Sequence, residues 1–314
     1  PPPPPPPPPP RIECRRQRQM CIRDSMTTPR TLLTAWNLKP KKNMGQNFLS
    51  DPSTAETIIS RAHLASTDVV VEIGAGLGAL TIFLAQVVKK VYAVEKDRQL
   101  IDLLKTELLA NRISNCEIIA MNILQMDLDA IADATGSKLT IIGNLPYGIS
   151  SQILIKLIES RGVIDRAILM FQKELAQRIT AQPGGKDYGR LTAMLRYCAD
   201  IRVLANIKAA VFYPPPKVDS TVIETRFKST AMYGPHNEAM LFAVIKAAFG
   251  NRRKTLKNAL TASRLGIDSQ TALEALKSAG IDPARRAETL NPAEFVALEV
   301  SLREAMERRM MIDE

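Results

Sequence analysis

The stretch VVVEIGAGLGAL, residues 69–80, decides the architecture of this chain. Residues 69–73 read as a short buried strand, because the run is β-branched and interrupted only by Glu72. Gly74, Gly76 and Gly78 follow at once, before a helical segment from about 80 to 88. Glycines in such a turn let the backbone bend sharply and approach a ligand closely, and the helix start offers free N–H groups. The spacing is G-x-G-x-G rather than the G-x-G-x-x-G of a dinucleotide pyrophosphate site. Taken alone, the pattern also fits an ordinary tight strand-to-helix connection.

Working outward, strand and helix alternate. Asp51-Pro52-Ser53 introduces a helix over 54–62 that leads into the first strand. After the glycine turn come a strand at 91–95, an amphipathic helix at about 98–111, and the runs CEIIAM, LTIIG and RAILMF from Cys116, Leu139 and Arg166. This order predicts an α/β protein with a mostly parallel sheet covered on both faces. IRVLANI from Ile201 and TVIETRF from Thr221 are expected to close one edge as a hairpin around FYPPPK. After Lys228 the β-branched runs disappear. STAMYGPHN then reads as a linker into about four helical segments ending near Arg308, a small all-helical domain. No internal repeat at solenoid periods is present.

The 314 residues are 46% hydrophobic, enough for a sizeable core in two domains or one large one. Gln86 and Lys89 end the longest apolar run short of the about 18 residues a membrane helix needs, so a soluble protein is expected. Residues 1–25 stand apart: ten prolines precede the Arg-rich RIECRRQRQMCIRDS. That composition reads as polyproline II and disorder without the apolar core of a signal peptide. We expect a non-native leader or mis-called start, with Met26 as the beginning, then a catalytic domain over 26–230 and a helical one over 231–314.

Removing the five Arg, one Glu and one Asp of the leader lowers the formal charge from +10 to +7. Such a balance fits a polyanionic partner or a solvated Lys/Arg surface equally. Outside the leader, Cys116 and Cys198 are far apart and lack metal-ligand spacing, so neither a disulfide framework nor a zinc site follows. A reducing cytoplasm fits this usage. His63 and His236 sit in a helix-like polar stretch and a Gly-Pro loop and read as surface residues, which argues against a histidine base.

Chemistry gathers where the strands end. Glu95 closes the strand after the glycine turn, where a carboxylate can accept both ribose hydroxyls of a nucleoside cofactor. It is otherwise a surface charge or a neighbour of a helix cap. The two features in register favour S-adenosylmethionine over NAD. Asn122, after the third strand, can donate to and accept from an adenine edge, and is equally suited to a turn.

In IIGNLPYGISSQIL, residues 141–154, Pro146 stops a buried strand, since it lacks an N–H and holds Leu145 extended. The exocyclic amine of adenine is a poor nucleophile, its lone pair being delocalised into the ring. If Asn144 Oδ1 and the Leu145 carbonyl accept its two hydrogens, the nitrogen is drawn toward tetrahedral geometry with its lone pair aimed at a sulfonium methyl. Pro146 stiffens the turn and Tyr147 can stack on the base. A plain turn could also read this way, and the coincidence with the glycine turn and Glu95 weighs against it.

On KKNMGQNFL (41–49), EIGAGLGALT, VEKD, NLPY, FYPPPKVDST and AFGNRRKTLKNAL, the chain from Leu38 onward resembles the ribosomal RNA small-subunit adenine dimethyltransferase family. The resemblance implies a Rossmann-like methyltransferase domain with a small C-terminal helical domain and S-adenosylmethionine as donor. It further implies N6-dimethylation of two adjacent adenosines near the 3' end of 16S rRNA, with a role in small-subunit biogenesis. By the same resemblance Asn47 and Leu49, beside Gln46, contact the cofactor, as do Gly74, Gly76, Glu95, Asn122 and Asn144. Phe212 would cover the target base opposite Tyr147, although it also reads as a core residue before a turn. The family usually has Asp where Asn122 stands, so one cofactor contact loses its charge here.

Lys246, Arg252, Arg253, Lys254 and Lys257 crowd a short helical region, where they can contact RNA phosphates while Phe249 packs inward. A solvated helix face is the alternative. The target adenines must arrive unstacked, as in a loop. Two rivals remain: a 23S rRNA adenine N6-methyltransferase of the antibiotic-resistance type, and a non-catalytic ribosome assembly factor. An NAD-dependent oxidoreductase is the least favoured reading, since nothing in the sequence supplies a hydride-transfer acid or base. Nothing in the sequence calls for a metal or for more than a monomer.

Overall fold

The computed structural model describes residues 27–251 and 253–313, without the side chains of Tyr147 and of residues 310–313. The leader, Met26 and the RNA-contact candidate Arg252 lie outside the described residues.

The first half of the chain forms α1 (Pro29–Ala35), β1 (Phe48–Leu49), α2 (Pro52–Arg61), β2 (Val69–Ile73), α3 (Thr81–Val87), β3 (Lys90–Glu95), α4 (Arg98–Ala110), β4 (Cys116–Ala120) and α5 (Leu128–Thr135). There follow β5 (Leu139–Asn144), α6 (Ser150–Glu159), β6 (Ile164–Gln172), α7 (Lys173–Thr180), α8 (Arg190–Cys198), β7 (Ala199–Ile207), β8 (Phe212–Tyr213) and β9 (Ser220–Phe227). Helix starts are written into the sequence: Asp51, Asp97 and Asp127 each accept a backbone N–H in the first turn of α2, α4 and α5.

Seven strands form one sheet in the order β4-β3-β2-β5-β6-β9-β7. The first five are parallel, and β9 runs antiparallel to both β6 and β7. The expected late hairpin is therefore present, with β7 on the edge. Its loop is more than a turn, because Phe212 and Tyr213 leave it to pair with Leu49 and Phe48 in a separate two-stranded sheet. From β2 the chain moves outward through β3 and β4, then crosses back to β5 on the other side of β2. That reversal opens a crevice at the carboxyl ends of β2 and β5.

The strands alternate their apolar residues between two layers. Val69, Val71, Ile73, Leu139 and Ile141 join one buried cluster. Val70 and Ile142 join another with Ile58 of α2 and Phe83 and Leu84 of α3. Each fully buried aliphatic side chain stabilises by about 1.5–3 kcal/mol, which is why a central strand reads as nearly continuous apolar sequence. Against that background Glu72, 2% exposed in the middle strand, is an exception with a cost.

Beyond β9 the chain leaves the sheet and forms α9 (Glu238–Ala248), α10 (Leu256–Thr261), α11 (Ser269–Ser278) and α12 (Pro292–Asp313). The last helix runs past Arg308, where the sequence pattern placed its end. α8 packs against α9 and α12. Leu241, Val244, Phe295 and Leu302 of these helices belong to the same buried cluster as Val69 and Leu139. The helical segment and the sheet therefore share one core.

The histidines need correction. His63 is exposed as expected, but it follows α2 with φ +47° rather than lying in a helix. His236 is half-buried: its Nε2 lies 2.6 Å from the Tyr197 hydroxyl and its Nδ1 2.7 Å from the Gly234 carbonyl. It is an internal joint between the sheet part and the helices, not a free surface residue.

Candidate active site

A cavity of about 490 Å³ occupies the crevice at the carboxyl ends of β2 and β5. The glycine turn forms one wall, and all three glycines need the left-handed region, with φ of +73°, +56° and +86° at Gly74, Gly76 and Gly78. A Cβ on Gly76 would stand 3.3 Å from the Phe48 ring, so its hydrogen atom also lets β1 close over the turn. Four amides of the turn itself, ahead of the helix start, are committed within the protein. Gly74 and Ala75 donate to the Val94 carbonyl at 2.9 and 3.2 Å, Gly78 to the Ala75 carbonyl at 2.9 Å, and Gly76 to Glu95 Oε2 at 2.9 Å. This turn supplies shape and rigidity instead of a phosphate cradle.

Glu95 ends β3 inside the cavity. Its Oε1 accepts from the Asp97 amide at 2.8 Å and its Oε2 from Gly76, leaving lone pairs on both oxygens for further donors. Burial pushes its carboxyl up against the opposing pull of those amides. Glu72 also lines the cavity, and burial, with a smaller push from Glu95, raises it to about 8. Its Oε2 has no hydrogen-bond partner among the described residues.

Residues 41–49 form a strap over the cavity mouth. A 3-10 turn at Lys42–Met44 ends on Gly45 in the left-handed conformation, φ +65°. Gln46 Oε1 accepts from the Lys41 amide at 2.7 Å, while Gln46 Nε2 and Lys41 Nζ each donate to an oxygen of Asp97 at 2.8 Å. Burial pushes the Asp97 carboxyl up, but the bonds from Lys41 and Gln46 outweigh it and hold the group below its ordinary value. Gln46 lines the cavity, yet its polar atoms are committed to the strap itself. Asn47 and Leu49 line it too, Leu49 from within β1.

At the far wall β5 ends on Asn144. Its Nδ2 donates to the Asn47 carbonyl at 2.9 Å, which fixes the carboxamide with its oxygen on the other side. Among the described residues, neither Asn144 Oδ1 nor the Leu145 carbonyl receives a hydrogen bond. Asn144 and Pro146 line the cavity, whereas Leu145 turns its side chain into the core at 1% exposure. Tyr147 opens the 3-10 turn Tyr147–Ile149 next to it; its side chain lies outside the described part of the molecule. Asn122 lines the cavity and caps a short turn, its Oδ1 accepting from the Leu124 amide at 3.1 Å. Asn122 is thus a turn residue that also faces the cavity, with its oxygen partly engaged. Phe212 is placed behind the cavity wall and not in its lining: it is 3% exposed and packs with Leu49, Ile207 and Val222.

Phe48, Lys96, Leu100, Met121, Ile123 and Met170 also line the cavity and escaped the sequence reading. Most are apolar residues whose direction only the packed loops decide. Asp97 escaped as well. Its position before α4 announces a helix cap, but its strap partners lie 56 and 51 residues away in sequence.

The basic candidates lie in the C-terminal helices. Lys246 is exposed on the last turn of α9, Arg253 and Lys254 are exposed in the following turn, and Lys257 is half-buried in α10. The segment is two helices and a turn rather than one helical region. Phe249 packs between Tyr188 and Phe295, with ring centroids 6.1 and 6.0 Å away, so it serves the core. Among the described residues no group of three or more His, Cys, Asp and Glu is arranged to hold a metal ion. No described helix is long and apolar enough to cross a membrane.

The chain is similar to known proteins over most of its length. The family model described as ribosomal RNA adenine dimethylase matches residues 37–304. A protein of Desulforapulum autotrophicum named ribosomal RNA small subunit methyltransferase A is 48% identical over 277 residues, 88% of this chain and 97% of that protein. Among solved structures, a dimethyladenosine transferase from Plasmodium falciparum superposes with a TM-score of 0.71 at 26% identity, covering 82% of this chain and 98% of its own. The 23S rRNA methyltransferase ErmE superposes with a TM-score of 0.61 at 25% identity, covering 82% of this chain and 100% of its own. The sheet order, the crevice at its switch point and the match over residues 37–304 lead to one assignment: the chain belongs to the ribosomal RNA adenine dimethylase family.

Proposed function

We propose that the protein transfers methyl groups from S-adenosylmethionine to N6 of two adjacent adenosines in the 3'-terminal hairpin loop of 16S rRNA, dimethylating each, during assembly of the small ribosomal subunit in the cytoplasm. The observation that carries the chemistry is the fixed carboxamide of Asn144, held through Nδ2 by the Asn47 carbonyl with its oxygen left to accept.

The lining fits this cofactor on two counts. Four amides of the glycine turn are spent within the protein, which disfavours a pyrophosphate, and the buried Glu72 carboxyl, which holds its proton in the cofactor-free protein, has an unpartnered Oε2 that a positively charged ligand would draw into the ionised form. Bound here, the cofactor supplies a methyl group activated by a sulfonium. Glu95 offers both oxygens to a ribose diol, and Gly76 lets Phe48 close against the turn. Asn144 Oδ1 and the Leu145 carbonyl then accept the two hydrogens of the adenine amine. They orient its lone pair without removing a proton first, so alignment replaces a strong base. Transfer leaves S-adenosylhomocysteine and a methylated nitrogen that sheds one proton to solvent; a single hydrogen then remains, one acceptor suffices, and a second transfer needs a fresh cofactor molecule and room.

The sheet part, 26–230, would carry the chemistry, and 231–314 would present Lys246, Arg253, Lys254 and Lys257 to phosphates. The test is incubation with labelled S-adenosylmethionine and small subunits lacking the modification, followed by digestion and mass identification of the nucleosides. N6,N6-dimethyladenosine at two neighbouring positions of 16S rRNA is expected. Label confined to 23S rRNA, or tight subunit binding without label, overturns the reading.

A further inference from the structure

We infer that Asp97 is a positioning residue for both sides of the transfer: it latches the strap of residues 41–49 across the cavity mouth and, through Asn47, sets the orientation of the Asn144 carboxamide. The inference rests on the methyl-transfer reading above. Asp97 does not line the cavity, so it touches neither ligand.

A helix cap needs one acceptor, and Asp97 Oδ1 already provides it to the Gln99 amide at 3.2 Å. The second oxygen and the negative charge are surplus to that task, and both go to the strap, to Gln46 Nε2 and Lys41 Nζ. These are charge-assisted bonds on a side chain only 4% exposed, where they outlast an ordinary surface pair. Residues 41–47 bring no buried side chain of their own. Polar ties therefore hold residues 41–47 down, Asp97 at their beginning and the Asn144–Asn47 bond at their end, ahead of the buried pair Phe48 and Leu49.

That second tie gives the latch its catalytic reach. A carboxamide turned by a half-rotation exchanges its oxygen and nitrogen, and would then present donors where the adenine amine also donates. The Asn47 carbonyl selects the useful orientation, because it can only accept. Releasing Asp97 frees Gln46, the neighbour of Asn47, and with it the position of that carbonyl.

Asp97→Asn keeps the cap acceptor and removes the charge. We expect deuterium exchange at residues 41–49 to accelerate, the Kd for S-adenosylhomocysteine to rise about tenfold, and single-turnover methyl transfer at saturating cofactor to fall at least about tenfold. Lys41→Met, at a half-exposed position, should move all three readouts the same way and less. Asp102→Asn, an exposed residue of the same helix paired with Lys105, should move none of them. Exchange and Kd in both latch variants within about twofold of the parent overturn the latch. Weakened cofactor binding with an unchanged saturated rate overturns the link to Asn144. If the parent protein itself transfers no methyl group to rRNA, the transfer reading fails, while exchange and S-adenosylhomocysteine binding still decide the latch.

Discussion

Glu72 carries a carboxyl into the middle of the central strand, and its proton tells how the cavity is built for a ligand. With its value raised from 4.5 to about 8, the folded protein holds a proton between those limits that the unfolded chain has released. Its contribution to stability is therefore fully present below the ordinary carboxylate range and is lost as pH rises through about 8. The cofactor-free protein should lose stability from pH 5 to pH 8.5, by an amount on the order of a few kcal/mol. Glu72→Gln should flatten that slope in urea denaturation, and an unchanged slope refutes the assignment. Asn144 belongs to the same scale. Asn144→Ala removes an aligned acceptor without opening a core cavity, so methyl transfer should fall by roughly a hundredfold or more, with RNA affinity measured by filter binding unchanged. Retained turnover would remove Asn144 from the mechanism. The types and positions of Glu72, Glu95 and Asn144 were legible in the chain. The direction in which Glu72 and Glu95 shift was not, since burial, and for Glu95 the Gly76 amide, come from other elements.

Among the elements, β5 is the one whose placement the site can least do without. A Cβ on Gly143 would lie 2.6 Å from the Ile73 carbonyl oxygen and 3.0 Å from the Ile73 Cβ, in the ladder between β2 and β5. Neither strand can yield, because each is hydrogen-bonded on both sides. Gly143→Ala should destabilise by about 1–3 kcal/mol or more and displace Asn144, the next residue, lowering activity further. Gly162→Ala, where the added carbon meets nothing within 4 Å, should leave denaturation curves nearly unchanged. Equal effects at the two sites would contradict a special role for the β2–β5 ladder. The strands were readable because burial on two faces demands unbroken apolar runs, and the helices because their caps are local. The pairing of Phe212 and Tyr213 with β1 was not readable: a two-residue ladder has no pattern, and its partner is far away in sequence.

For the whole molecule, the shared core makes the helical part a fixed extension of the sheet, so basic residues on α9 and α10 are held at a set distance from the cavity. Charge reversal at the exposed pair, Arg253→Glu with Lys254→Glu, should weaken RNA binding. It should also reduce the slope of log K against log salt by about 1 for each phosphate no longer neutralised. Affinity at a single salt concentration cannot separate the loss of a direct phosphate partner from a general change of field. An unaltered slope would return these residues to the solvated surface. The net positive charge alone had left both possibilities open.

The order of strands and helices, the glycine turn with its positive-φ positions, the acidic end of β3 and the Asn-Leu-Pro-Tyr turn were determined by the sequence by itself, because each is set by neighbours a few residues apart. The tertiary structure alone decided what those residues do to one another. It spent the amides of Gly74, Ala75 and Gly76 on β3, withdrew Phe212 into the core, and brought Lys41 and Gln46 to Asp97 and Asn47 to Asn144. These are contacts between segments remote in the chain, and a local pattern carries no record of the distance that folding closes.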